Sequence, residues 1–147
     1  MRILITITPR MYRQVLALYI RRRRPEHELV IASPEAAVEE IAAFEPHMLL
    51  HNDNDKLGSQ AVAGILYRIT VLYTDGMDAR INMRGHIHEA QDMSTDDLLR
   101  ILDSIGEITD SGGSDRVTAI GGPVFARRGF WHIPGRVPYL ALIRRLV

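Results

Sequence analysis

Met48-Leu49-Leu50-His51, followed at once by Asn52-Asp53-Asn54-Asp55, is the pivot of this sequence. A short apolar run that breaks off into a polar loop reads as a strand buried on both faces, with its carboxyl end open to solvent. Residues 2–8, Arg2-Ile3-Leu4-Ile5-Thr6-Ile7-Thr8, read the same way and are closed by Pro9. Leu29-Val30-Ile31-Ala32 is a second such run, residues 69–73 a β-branched and aromatic fourth, and His86-Ile87-His88 a weaker fifth.

Between these runs the apolar period changes from that of a buried strand to that of a helix. Met11, Val15, Leu18 and Tyr19 recur at helical spacing, so a helix runs to about Arg23 and Pro25 stops it. Ser33-Pro34 opens another, with Ser33 as N-cap and Pro34 at the first helical position; Val38, Ile41 and Ala42 face the core, Glu35, Glu39 and Glu40 face water, and Pro46 marks the exit. Val62, Ile65 and Leu66 suggest a helix over residues 59–67. Residues 75–85 have room for two or three helical turns. Ser94 caps a last helix with Asp96 and Asp97 in its first turn and Leu98, Ile101, Leu102 and Ile105 as its apolar stripe. Strand alternating with helix predicts a doubly wound α/β fold: a five-stranded parallel sheet with helices on both faces and a C-terminal extension. The domain is expected over residues 1–106. Residues 107–147 are expected as a linker, Thr109-Asp110-Ser111-Gly112-Gly113-Ser114-Asp115, then an extension ending in an amphipathic helix.

Composition narrows the function. At 46% apolar and 24% charged, the 147 residues have the balance of one globular domain with its own core. The formal net charge is zero, which removes any global pull toward nucleic acid or an anionic membrane. Arg21-Arg22-Arg23-Arg24 falls at a helix end, where it complements the dipole or, as a second reading, forms a binding patch. With no cysteine, disulfides, thiolate catalysis and cysteine metal sites are excluded. No apolar run approaches the roughly 20 residues of a membrane helix, and the one at Met1-Arg2-Ile3-Leu4-Ile5 is too short for a signal peptide. A cytoplasmic location is expected.

Several phrases, in this order and spacing, resemble the receiver domain of bacterial response regulators. Residues 11–18, Met11-Tyr12-Arg13-Gln14-Val15-Leu16-Ala17-Leu18, look like the opening of its first helix. Glu45-Pro46-His47-Met48-Leu49-Leu50 looks like the approach to its third strand. Gly85-His86-Ile87-His88-Glu89 and Ser94-Thr95-Asp96-Asp97-Leu98-Leu99 look like its fifth strand and last helix. The resemblance implies strand order 2-1-3-4-5 and a phosphoryl-accepting pocket at the strand ends. There an aspartate ends the third strand, an acidic pair after the first helps hold Mg²⁺, a hydroxyl follows the fourth, and a Lys follows the fifth.

This chain departs at most of those places. Ile7 and Thr8 stand for the acidic pair, Asn52 for the accepting aspartate, and Glu89 for the Lys; Thr74, or Tyr73 in the neighbouring register, keeps the hydroxyl. Mg²⁺ wants carboxylate oxygens and a phosphoryl dianion wants nearby cations, so both halves of the chemistry are weakened. A slip of one residue would put Asp53 at the accepting place, which defines an alternative as an atypical receiver phosphorylated there; strand alternation argues against it. The expectation is a phosphorylation-independent pseudo-receiver: a signalling module, not an enzyme, without cofactor or metal, that binds a protein partner and forms a homodimer. Nucleic acid is not expected, although Phe130 and Trp131 alternate with Arg127, Arg128 and Arg136. Partner contacts are expected at Tyr73, Met77 and Met83, and in the extension at Phe130, Trp131, Tyr139, Leu142 and Leu146. The other alternative is a small-ligand or metal-binding protein whose strand-end crevice gathers His51, Asp53, His88 and Glu89. Against it, His51 and His88 can equally be hydrogen-bonded core imidazoles.

Overall fold

A computed structural model describes residues 1–72 and 78–110. The elements are β1 (Arg2–Ile5), α1 (Arg10–Arg23), β2 (Glu28–Ile31), a 3₁₀ turn (Pro34–Ala36), α2 (Ala37–Phe44), β3 (Met48–Asn52), α3 (Ser59–Val62), β4 (Tyr67–Val71), β5 (Ala79–Met83), β6 (His86–Ala90) and α4 (Thr95–Asp110). One compact unit spans Met1–Thr95 and a second begins at Asp96.

The first unit holds a six-stranded sheet in the order β2-β1-β3-β4-β5-β6. Strands β1 to β4 are parallel, each joined to the next through helical turns. The chain moves one way from β1 to β2 and the other way from β2 through β3 to β4. Right-handed crossovers therefore put α1 on one face and α2 with α3 on the other. On the α2–α3 face, Leu4 and Leu49 meet Ala32, Val62 and Ile65, bordered by Val30, Ala36, Ile41, Phe44 and Leu57. Leu4 and Leu49 are completely buried, as are Ile3, Ile5 and Met48 on the opposite face of the same strands. Burial on both faces is why these strands read as unbroken apolar runs.

The remaining strands correct the expected architecture. The described part of the stretch expected to be helical, residues 78–85, is a hairpin arm and its turn. Ala79–Met83 is a strand antiparallel to β4, and His86–Ala90 returns antiparallel to it. The sheet is mixed and six-stranded, with the expected 2-1-3-4-5 order extended by one strand. The physical reason is visible in Ala79-Arg80-Ile81-Asn82-Met83, which alternates apolar and polar with a period of two. A two-residue turn, Arg84-Gly85, then closes the hairpin with both residues at positive φ, 52° and 91°. That is the turn geometry whose twist suits two-residue hairpins, and glycine supplies its second position. The turn is tied back to β4: the Arg84 N–H donates to the Leu66 carbonyl (2.8 Å) and its Nε donates to the Tyr67 hydroxyl (2.9 Å). Tyr67 belongs to β4, so the preceding helix is only Ser59–Val62 instead of reaching residue 67.

Other boundaries follow the sequence closely. α1 ends at Arg23, with Arg21, Arg22 and Arg23 in its last turn. Arg21 donates to the Leu29 carbonyl (3.1 Å), and the Arg24 N–H closes the helix on the Ile20 carbonyl (2.7 Å). The basic cluster thus occupies the negative end of the helix dipole. Ser33 precedes the 3₁₀ turn in an extended conformation, with Pro34 opening it. In the second unit, Leu98, Ile101, Leu102 and Ile105 form the buried stripe of α4. Among the described residues no helix is long and apolar enough to cross a membrane.

Candidate functional site

The carboxyl ends of β1 and β3 meet at Asn52. This residue ends β3, is only 3% exposed, and points its Oδ1 at Thr8, accepting the Thr8 N–H (2.6 Å) and hydroxyl (3.1 Å). The parallel ladder itself stops nearby, with the Thr6 N–H donating to the Leu50 carbonyl (2.8 Å). The Asn52 side chain thus replaces the missing ladder bonds where the two strands diverge. Below it the loop closes on itself: the Asn52 N–H donates to Asp55 Oδ2 (3.0 Å) and the Asp55 N–H to the Asn52 carbonyl (3.3 Å). Burial raises the Asp55 carboxyl above its usual range, opposed by that Asn52 N–H, by His51 and by the Thr6 hydroxyl.

A residue that sequence reasoning did not single out completes this end of the sheet. Arg13, on the first turn of α1, is 8% exposed and donates through Nη1 to the carbonyls of Thr6 (3.3 Å) and Ile7 (3.4 Å). It shares the buried side of α1 with Ala17 and Ile20. A charged residue in an otherwise inward-facing stripe was the available signal. Ile7 is buried and Thr8 half-buried, so a guanidinium rather than a carboxylate pair lies at the end of β1. Exposed Glu35 lies close enough for Arg13 to help lower its carboxyl, although its own backbone N–H and the Ser33 hydroxyl are the larger causes.

The other expected pocket residues do not gather here. Asn52 is the last paired residue of β3, opposite Val71, and Asp53 follows it into solvent, its N–H reaching the Val71 carbonyl (3.0 Å). Thr74, Tyr73 and Met77 lie outside the described residues, as do Phe130, Trp131, Tyr139, Leu142 and Leu146. Met83 ends β5 and pairs with Tyr67 and His86. Glu89 sits on the outermost strand, exposed, with Arg80 at 3.8 Å.

The strand register also separates the four residues of the metal-site alternative. His51, Thr70, Arg80 and Glu89 form one row across β3 to β6, whereas His88 lies in the row of Leu50, Ile69 and Ile81. The two rows face opposite sides of the sheet. Within its own row, Glu89 is three strand spacings from His51, roughly 14 Å. The added strand β5 therefore displaces β6, and with it His88 and Glu89, away from the crevice. Among the described residues no three His, Asp or Glu side chains are placed to hold a metal ion.

His51 is a hydrogen-bonded imidazole. Its Nδ1 lies 2.8 Å from the Asn52 carbonyl, which can only accept, so the proton is on Nδ1; its Nε2 then accepts from the Thr70 hydroxyl (3.0 Å). Burial is the main cause that holds its pKa below the ordinary value, and the charge of Arg68 adds to it; the Asn52 carbonyl, Asp55 and Asp53 oppose it.

Beyond His51 the face that carries α2 and α3 over β1 and β3 lies open. Arg68, Thr70, Arg80, Asn82, Ile87 and Glu89 share it by register, and Arg80, Ile87 (58%) and Glu89 are exposed. The opposite face of β4 and β5 is closed, with Tyr67, Ile69, Val71, Ala79 and Ile81 all buried. Arg68 sits at the boundary, between Leu49 of the covered half and Asn82 of the open half. Its Nε is sealed from solvent and has no acceptor among the described residues. No protein-family model matches this chain, and neither does any curated protein or solved structure.

Proposed function

We propose that this chain is a degenerate receiver that works as a phosphorylation-independent protein-interaction module in signalling, and not as an enzyme. The observation that carries the reading is the engagement of Asn52. At the place where a receiver needs a free carboxylate nucleophile, a neutral amide is buried and bound to Thr8, and Arg13 puts a fixed positive charge on the Thr6 and Ile7 carbonyls at the end of the neighbouring strand. A cation there opposes Mg²⁺, and the carboxylate at this strand end, Asp55, is engaged by the Asn52 N–H. The shared strand order supports a common scaffold.

On this reading the function lies in contacts made elsewhere on the domain. Strand β6 is the edge of the sheet, paired only with β5 among the described strands, and an edge of this kind accepts a further strand from another chain. A second copy of the chain is the first partner to test, in the cytoplasm that the composition suggests.

The deciding experiment treats the wild type and N52D with acetyl phosphate, and separately with beryllofluoride, each with Mg²⁺. The carboxylate introduced by N52D can still accept both Thr8 bonds, so the variant restores the nucleophile without removing the contact. Neither protein is expected to gain mass or change its spectrum. Saturable, Mg²⁺-dependent modification of the wild type, at Asp53 or any other carboxylate, overturns the reading. Light scattering over a concentration series tests the dimer.

A further inference from the structure

We propose that two copies of this chain join edge to edge through β6, antiparallel about a two-fold axis at Ile87, into one continuous sheet. The proposal gives the dimer of the reading above its surface and register, and rests on that reading for the choice of partner. The hydrogen-bond pattern of the hairpin shows which backbone groups are available. The Leu72 N–H donates to the Asp78 carbonyl and the Arg84 N–H to the Leu66 carbonyl (2.8 Å each). Bonded pairs alternate along an antiparallel ladder, so the even-numbered residues of β5 bond toward β4, while Ala79, Ile81 and Met83 bond toward β6. Their partners Ala90, His88 and His86 therefore commit their N–H and C=O groups to β5. Those of Ile87 and Glu89 point the other way, along an edge that no other described strand pairs with.

Natural sheet edges are blunted by proline, lysine or a bulge. Strand β6, His86-Ile87-His88-Glu89-Ala90, has no proline or lysine, and its five pairs with β5 run without a bulge. Its one carboxylate, Glu89, has Arg80 at 3.8 Å on the neighbouring strand. Ile87, at 58%, is the most exposed large apolar side chain among the described residues. A second copy suits this edge in one register. A two-fold axis perpendicular to the sheet keeps each face continuous, so residues of one face stand opposite residues of that same face. Centring the pair on Glu89 sets two carboxylates against each other, and pairing Ile87 with Glu89 puts an apolar side chain against a charged one. Centring it on Ile87 packs the two isoleucines together and joins their outward N–H and C=O groups. Glu89 then stands opposite Gly85 of the second copy, which has no side chain to displace it from Arg80. On the other face His86 stands opposite His88 of the second copy. Pairing β6 with the far edge, β2, would be a head-to-tail contact that builds an open array, whereas β6 on β6 closes as a dimer.

The test is amide hydrogen exchange of the full chain over a concentration series, read beside light scattering. Protection of the Ile87 amide is expected to rise with concentration in step with the dimer, while the His88 amide stays protected throughout. I87P removes the outward donor and leaves the bonds to β5 in place, and I87K sets two charges at the axis. Each is expected to weaken the dimer by about tenfold or more, since the axis doubles every change. In a chain without cysteine, I87C is expected to link two copies on mild oxidation, because a bonded antiparallel pair holds its Cα atoms about 5.5 Å apart. E89C, whose two copies lie four residues apart along the pair, roughly 13 Å, is not. A monomer at every concentration overturns the proposal. So does Ile87 protection that ignores concentration, which would mean that the chain covers its own edge; this measurement on the wild type also serves if I87P fails to fold. A dimer that I87K leaves intact lies elsewhere and overturns it too, and equal linking through E89C overturns the register. A monomer that resists acetyl phosphate sinks the dimer alone, whereas a phosphorylated chain that still pairs through Ile87 sinks only the reading above.

Discussion

The two halves of the sheet obey different rules. From β2 to β4 every connection passes through helical turns, and the strands at its centre, β1 and β3, are buried on both sides. From β4 to β6 the strands run antiparallel, and one face stays open. The open face tolerates Arg68, Thr70, Arg80, Asn82 and Glu89, whereas the parallel half has Leu4 and Leu49 on that same side. A crossover helix thus does more than connect two strands: where the strands run antiparallel, a polar surface takes the place of a buried core.

The sharpest way to break this contrast is to truncate one side chain in each half. Leu49→Ala removes a completely buried side chain from the cluster under α2 and α3 and is expected to cost about 2–5 kcal/mol. Asn82→Ala, on the same face but past the boundary, is expected to stay within about 1 kcal/mol. Chemical denaturation of the two variants measures both. Comparable losses would mean that the second half is covered after all.

Asn52 lies where the parallel half ends, and its bonds to Thr8 are expected to matter more than its size. Asn52→Ala leaves the Thr8 N–H without its acceptor in a half-buried place and is expected to cost about 1–3 kcal/mol. Asn52→Asp keeps the acceptor and is expected to lose much less. Equal losses would show that the contact to Thr8 contributes nothing. The hairpin half depends instead on its turn. Gly85→Ala meets no neighbouring atom, so its expected cost, about 1–2 kcal/mol, comes only from holding an alanine at φ 91°. Hydrogen exchange should place that loss in β5 and β6 and leave β1 and β3 protected.

The same contrast explains which parts of the fold are legible in the sequence. Ile3-Leu4-Ile5 and Met48-Leu49-Leu50 identify themselves because burial on two faces admits only apolar residues, and Pro9, Pro25 and Pro46 punctuate the chain between strands and helices. The hairpin half misleads because repeated strand-helix alternation suggests another helix before Gly85. The alternation of Ala79-Arg80-Ile81-Asn82-Met83 and the compact Arg84-Gly85 turn carry the opposite message. Arg84 is an uncommon first residue for such a turn, and its bonds to Leu66 and Tyr67, which anchor it, join distant parts of the chain. The candidate site is legible at Asn52, whose side chain follows from its place at the end of β3. Arg13 and Arg68 are not, because their surroundings depend on which strands lie side by side.

The smallest expected effect lies at the seam between the halves, where His51 of β3 accepts from Thr70 of β4. Burial lowers its folded pKa below the ordinary value of 6.5. The unfolded chain therefore takes up a proton at higher pH than the folded one. The stability His51 contributes is complete above about pH 6.5 and is lost as the pH falls through the folded value. His47, also lowered mainly by burial, acts in the same direction, so the wild-type profile alone does not assign the effect. His51→Gln removes one titration and leaves the other. Denaturation at about pH 7.5 and about pH 5.5 should show a smaller loss on acidification for the variant than for the wild type. The difference is expected to be small because the Asn52 carbonyl, Asp55 and Asp53 all oppose burial. An identical acid loss in both proteins would mean that the seam opens freely enough for His51 to titrate as it does in the unfolded chain.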